Sequence, residues 1–315
     1  MHCGTVRGGC MVCCLRKKSA SALDSSKISN WQQFRCLLLV TLLIVCTIVA
    51  LSGRAVAANK AHEASTSVEA RRAAISAIPF AKIDSRYRQP MKQVIDDCTL
   101  YRRLPTQVVD CDPAMFTFMA QNPDALVEIW KQLGITRVSV ERIDESSFRL
   151  ADGMGTTGKL FIVEETCEEN AQNRIVMFGE GAYEGKPFTR PVHAQSVLLL
   201  RSGSMVETNG RTYVAAQLDT FLRIDRTSLE IFAKAIQPLV GLTADRNFAD
   251  TMTFLSGFSQ ASERQPDRIE RLAMSLPRIT SERQQELVRI AYQTRKQSEA
   301  RIDVRLAEHD ENATR

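Results

Sequence analysis

Glu207-Thr208-Asn209-Gly210-Arg211-Thr212-Tyr213-Val214-Ala215-Ala216-Gln217-Leu218-Asp219-Thr220-Phe221-Leu222-Arg223-Ile224 decides the fold. Asn209-Gly210 sits between two runs of strand-forming residues and supplies the two positive-φ positions of a two-residue hairpin turn. On the second arm Val214, Ala216, Leu218, Thr220, Leu222 and Ile224 alternate with Tyr213, Gln217, Asp219 and Arg223, which gives one face of the strand to a core. A two-residue loop pairs Thr208 with Arg211 and therefore Arg201 with Leu218, on the apolar side. Burying that guanidinium without a partner costs several kcal/mol. The sequence therefore predicts a bulge at Ser202-Gly203, which moves Arg201 opposite Gln217 and sets Leu200 and Leu198 opposite Leu218 and Thr220.

Outward from the hairpin, Thr227-Ser228-Leu229-Glu230 reads as a capping box, and Leu229, Phe232, Ile236 and Leu239 recur at helical spacing. Upstream, Asp112-Pro113 and Asn122-Pro123 each place a proline at a first helical position, and the second helix ends at Gly134 with Leu126, Ile129, Trp130 and Leu133 as its buried stripe. Short strands are expected over 137–143, 147–151, 159–165 and 173–183, so with the hairpin arms the count is about six antiparallel strands. Downstream, Phe248, Met252, Leu255 and Phe258 form an amphipathic helix, Pro266 and Pro277 bracket another around Ile269 and Leu272, and Ser281-x-x-Gln284 opens a charged last helix read as solvated. The fold class is α+β, a curved antiparallel sheet covered by C-terminal helices.

The chain has 315 residues, 44% of them hydrophobic, enough for a core of its own. Of 41 Lys/Arg and 36 Asp/Glu, seven and one fall in the first 57 residues, leaving 34 against 35 and a net −1 for the rest. Without a basic excess the folded part gives no electrostatic case for nucleic acid. Residues 36–51 are sixteen uncharged, mostly apolar residues behind Arg16, Lys17, Lys18, Lys27 and Arg35, and Ala55-Val56-Ala57 is a small-x-small cleavage pattern. Residues 1–57 are therefore expected to be a signal peptide cut between Ala57 and Ala58, with an anchor in the cytoplasmic membrane through 36–51 as the alternative. The Ala, Ser and charge of 58–78 suit a tether, 79–278 form the α+β domain, and 279–315 the charged helix and tail.

Six of the nine cysteines lie in or before the apolar segment. Cys10-x-x-Cys13-Cys14 lacks a second ligand pair, so no metal is expected there. After export, Cys98 and Cys111 are expected to pair across a short loop, for about 3 kcal/mol, with two buried free thiols as the alternative and Cys167 left over.

Chemical motifs are sparse. Gly153-Met154-Gly155-Thr156-Thr157-Gly158 has the spacing of a dinucleotide loop, but a strand follows it and not a helix, so it reads as a hairpin loop. His193 stands alone as an acid or base, with no nucleophile elbow or metal-binding helix to accompany it. No cofactor is implied. The charges within strands are the remaining candidates. Glu180, Gln217, Asp219 and Arg223 are expected to orient a ligand if they face a cavity beneath the covering helix.

The segments Arg103-Leu104-Pro105 to Asp112-Pro113, Ala151-Asp152-Gly153 to Gly158, Glu207 to Asp225, and Gln237-Pro238-Leu239-Val240-Gly241 through Asn247-Phe248 resemble a family of exported proteins from planctomycete-type bacteria to which no activity is attached. The order of helix, antiparallel strands, long hairpin and covering helices is similar to the START-like helix-grip fold. That resemblance implies a lipid or another apolar small molecule held between sheet and C-terminal helix, although Pro238 and Gly241 are expected to break the helix here. The function expected is envelope or periplasmic binding of such a molecule. The alternatives are an interaction protein with no cavity, or an enzyme using Asp219, Glu180 or His193. N-terminal sequencing of the mature chain is expected to read from Ala58; Met1 or Met11 on a membrane-bound protein would identify an anchor.

Overall fold

The computed structural model describes residues 63–167, 172–185, 190–225 and 237–313. The leader, with its cleavage position, lies outside the described residues, as do the capping box at Thr227 and the side chains of the stripe behind it.

Eight strands form one antiparallel sheet, two more than the pattern predicts: β1 (Leu100–Arg103), β2 (Gln107–Asp110), β3 (Ser139–Arg142), β4 (Ser147–Ala151), β5 (Thr156–Thr166), β6 (Asn173–Tyr183), β7 (Val192–Val206) and β8 (Thr212–Ile224). Their order is β1-β8-β7-β6-β5-β4-β3, and β2 shares the outer edge of β8 with β1. The two additional strands are short and charged, with Pro105 between them, and read from sequence as a turn. Proline has no N–H for the ladder and interrupts this edge without ending it, since Leu104 N–H still donates to Leu218 O at 2.8 Å.

The central hairpin pairs regularly from Val206↔Thr212 to Ala194↔Ile224. Arg201 faces Gln217, Leu200 faces Leu218 and Leu198 faces Thr220, as expected, but the predicted bulge at Ser202-Gly203 is absent. The odd residue sits in the turn instead. Glu207 N–H donates to Arg211 O at 3.0 Å, Gly210 N–H to Glu207 O at 2.8 Å, and Gly210 takes φ 73°, which makes a three-residue loop with a left-handed last position. Placing the extra residue there costs the ladder no hydrogen bonds. The Gly153–Gly155 segment is likewise a hairpin loop, joining β4 to β5, with the Asp152 carboxylate accepting from Met154 N–H at 2.7 Å and Thr156 N–H at 2.8 Å.

Both faces of the sheet are covered. One carries Leu160, Ile175, Met177, Leu198, Val214, Ala216 and Leu218. On it lie α3 (Pro113–Gln121), α4 (Pro123–Gln132) and α5 (Gln237–Arg264), and on these helices in turn pack α6 (Pro266–Met274) and α7 (Ser281–Ala313). The opposite face carries Val176, Phe178, Val197, Leu199 and Phe221 beneath two N-terminal helices, α1 (Val68–Ala77) and α2 (Ser85–Asp96). Residues 68–77, read from sequence as tether, thus form a packed helix: Ala70 and Ala74 are small enough to let it settle on the sheet, and both are buried.

Two further expectations are corrected. Gly241 does not break α5, which is helical from Gln237 to Arg264; the residues ahead of Pro238, where the other break is expected, lie outside the described residues. α7 is not solvated along its first half, because Leu287, Ile290, Ala291 and Thr294 are buried at a four- and three-residue spacing against the rest of the helical layer.

Phe221→Ala is expected to destabilise the protein by about 3–5 kcal/mol, read from urea midpoints. A loss under about 1 kcal/mol would mean that the face beneath α1 and α2 is not a packed core.

Candidate functional site

Period-two alternation fixes where the charged strand residues go. Lys159, Glu180, Gln195 and Arg223 occupy paired positions on β5, β6, β7 and β8, so they form one polar row across four strands. The next row on the same face is Phe161, Phe178, Val197 and Phe221, again in register. Tyr87 of α2 closes over that apolar row, with ring centroids 5.1 Å from Phe161 and 6.1 Å from Phe178. Beyond the helix the polar row lies in an open groove of about 710 Å³ that also reaches Arg149 and His193. Arg223 donates to Gln195 Oε1 at 3.0 Å and lies 3.6 Å from an Asp97 carboxylate oxygen. The side chains of Lys159, Glu180 and His193 have no hydrogen-bond or ion-pair partner among the described residues.

The other two predicted ligand residues lie elsewhere on this face. Asp219 is 0% exposed. Its Oδ1 accepts from the Tyr101 hydroxyl at 2.7 Å and Arg103 Nε at 2.8 Å, and its Oδ2 from Arg201 Nη2 at 2.8 Å. Gln217 accepts from the same Arg201 nitrogen at 2.7 Å and donates to the Thr106 hydroxyl at 2.9 Å. Burial, followed by the bond to Asp219, pushes the Tyr101 hydroxyl up, so that it stays a neutral donor. Phe221 and α2 separate this closed network from the groove. The four residues expected to converge on one ligand therefore divide into Glu180 and Arg223 in the groove, and Gln217 and Asp219 in an internal network.

The cavity beneath the C-terminal layer is on the opposite face. Its volume is about 90 Å³, and Phe116, Met119, Leu126, Trp130, Leu218 and Met252 contribute to its walls. None of the four predicted residues lines it, because alternation sends Asp219 and Arg223 to the side away from Leu218 and Leu222. Thr251 is the hydroxyl in its lining, and it donates to Asn247 O at 2.8 Å. Trp130 packs edge-on against Phe254, with centroids 5.7 Å apart, and its buried indole N–H has no acceptor. The sequence marked Trp130 as core and gave no sign of that orphaned donor. Only the missing acceptor, a tertiary fact, brings it forward.

No protein-family model matches the chain, and no curated protein does.

Cys98, Cys111 and Cys167 are free thiols, so the bridge expected between the first two is not formed. Cys98 packs with the core under α1 and α2, whereas Cys111 belongs to the core on the other face of the sheet. Their sulfurs bond backbone oxygens instead, Cys98 that of Leu222 and Cys111 those of Asp112 and Leu255. Burial pushes the Cys111 thiol up to about 12, which keeps it an inert neutral group. Among the described residues no His, Cys, Asp and Glu cluster could hold a metal ion, and no helix is long and apolar enough to cross a membrane.

Asp219→Asn leaves the half-buried Arg103 and Arg201 without a countercharge and is expected to cost about 2–3 kcal/mol. Gln217→Ala, at the margin of the same network, is expected to cost about 1 kcal/mol. Equal urea midpoints for the two variants would mean that Asp219 does not organise the network.

Proposed function

We propose that the protein binds a small apolar molecule of the lipid-like class in the cavity between β6–β8 and the helices α3, α4 and α5, in the cell envelope. The observation that carries this reading is a lining of apolar side chains, among them Trp130, whose buried indole N–H has no acceptor. An unpaired buried N–H carries a desolvation cost of about 1–3 kcal/mol, which a ligand oxygen offsets when it takes the bond. The ligand is thus apolar with one hydrogen-bond acceptor. At about 90 Å³ the space is smaller than the cavity of about 150 Å³ that takes up benzene, so it suits a short alkyl or small cyclic compound and not a whole acyl chain.

The position of the cavity, between sheet and long C-terminal helix, agrees with the helix-grip resemblance. Export rests on the sequence of residues 1–57.

Ala120→Phe directs a ring into the cavity and is expected to abolish ligand retention while keeping the fold. Solvent extraction of the purified chain followed by mass spectrometry reads retention. In a Trp31→Phe background Trp130 is the remaining one of the two tryptophans, and its emission is expected to shift when the extract is added back. Identical extracts from wild type and Ala120→Phe, with no emission change, would leave the cavity without a ligand.

A further inference from the structure

The cleft between α6 and α7 gathers cations that the fold leaves without partners. It is open, about 800 Å³, and lined by Arg264 at the end of α5, Arg268 and Arg271 on α6, and Arg295 and Lys296 on α7. Of its acidic residues, Glu299 pairs with Arg295, and Asp267 shares the Tyr292 hydroxyl, at 2.9 Å, with Glu270, at 2.6 Å, on the cleft's margin. Arg295 also donates to the Arg264 carbonyl at 3.2 Å. Arg264, Arg268, Arg271 and Lys296 have no ion-pair partner among the described residues.

Five cations against two acids make this lining +3, and +2 with Glu270 beside Tyr292, in a chain that nets −1 from residue 58 onward. Composition does not require such a concentration, and neighbouring like charges destabilise the surface that holds them. A multiply charged anion reverses that term, and the planar guanidinium fork matches phosphate oxygens in particular. The first turn of α6 lies in the same cleft: Pro266 and Asp267 line it, and the capping residue Gln265 makes no side-chain cap bond, with the Asp267 carboxylate partly offsetting the positive helix end.

We infer that this cleft binds a phosphate-bearing ligand, independently of the apolar cavity. Either a soluble phosphorylated compound or a lipid headgroup presents that chemistry. The test is calorimetric titration of the full chain with inorganic pyrophosphate and, separately, with dihexanoyl-phosphatidylglycerol below its micelle-forming concentration. At least one probe is expected to bind saturably, and about tenfold or more weaker to R268Q/R271Q. K296Q, on the opposite wall, is expected to weaken binding in the same direction. R149Q/K159Q removes the same charge from the polar groove and is expected to leave binding unchanged. Binding of pyrophosphate alone assigns the site to soluble phosphates, of the lipid alone to a headgroup, and of both to the phosphate group itself. Absence of binding by either, retention of affinity in R268Q/R271Q, or equal weakening in the two double variants overturns the inference. All substituted residues are exposed, and circular dichroism with urea midpoints checks that each variant folds.

Discussion

A buried carboxylate holds this fold at its most connected point. Asp219 sits fully inside, and its three donors come from two other strands: Tyr101 and Arg103 from β1, Arg201 from β7. Removing a carboxylate from water costs several kcal/mol, so the arrangement persists only with every donor in place. Arg103 carries the connection outward, since its Nη2 donates to the Ala70 carbonyl of α1 at 3.1 Å. One residue thus fixes the register of the edge strand, the partner of Arg201 and the seat of the first helix. Arg142 and Asp124 do a similar job on the other face, with Arg283 of α7 closing on the same carboxylate.

That the sheet would be antiparallel, that β7 and β8 would form a long hairpin, and that helices would follow were all legible in sequence. These features depend on local alternation and on Asn209-Gly210, which a strand carries with it. The cost of burying Arg201 even gave the correct cross-strand partners, although it could not say that the extra residue would settle in the turn. What local pattern could not supply was the second covering layer. Residues 68–77 are Ala-rich and charged, and their helix is stabilised by Phe178, Val197 and Phe221, which lie over a hundred positions away in sequence. The same absence of long-range information made Asp219 look like a solvent or ligand residue: period two says that it leaves the Leu218 face, but not what waits on the other side.

The division of the candidate site follows from this. A sheet covered on one face offers its polar row to solvent, whereas a sheet covered on both must place each strand charge in an internal network or past the rim of a helix. Asp219 and Gln217 take the first course; Lys159, Glu180 and Arg223 take the second. The apolar cavity is a separate product of the helical layer, where Phe116, Trp130 and Met252 meet Leu218 without filling the space between them.

Ser65 pairs with Arg103 through two backbone hydrogen bonds, Ser65 N–H to Arg103 O at 2.9 Å and Arg103 N–H to Ser65 O at 2.8 Å. That pairing ties the chain ahead of α1 to the sheet edge at Arg103, whose side chain also bonds Asp219 and the Ala70 carbonyl. A pull applied at Ser65 would therefore reach β1 and the Asp219 network directly, before it unwound α1.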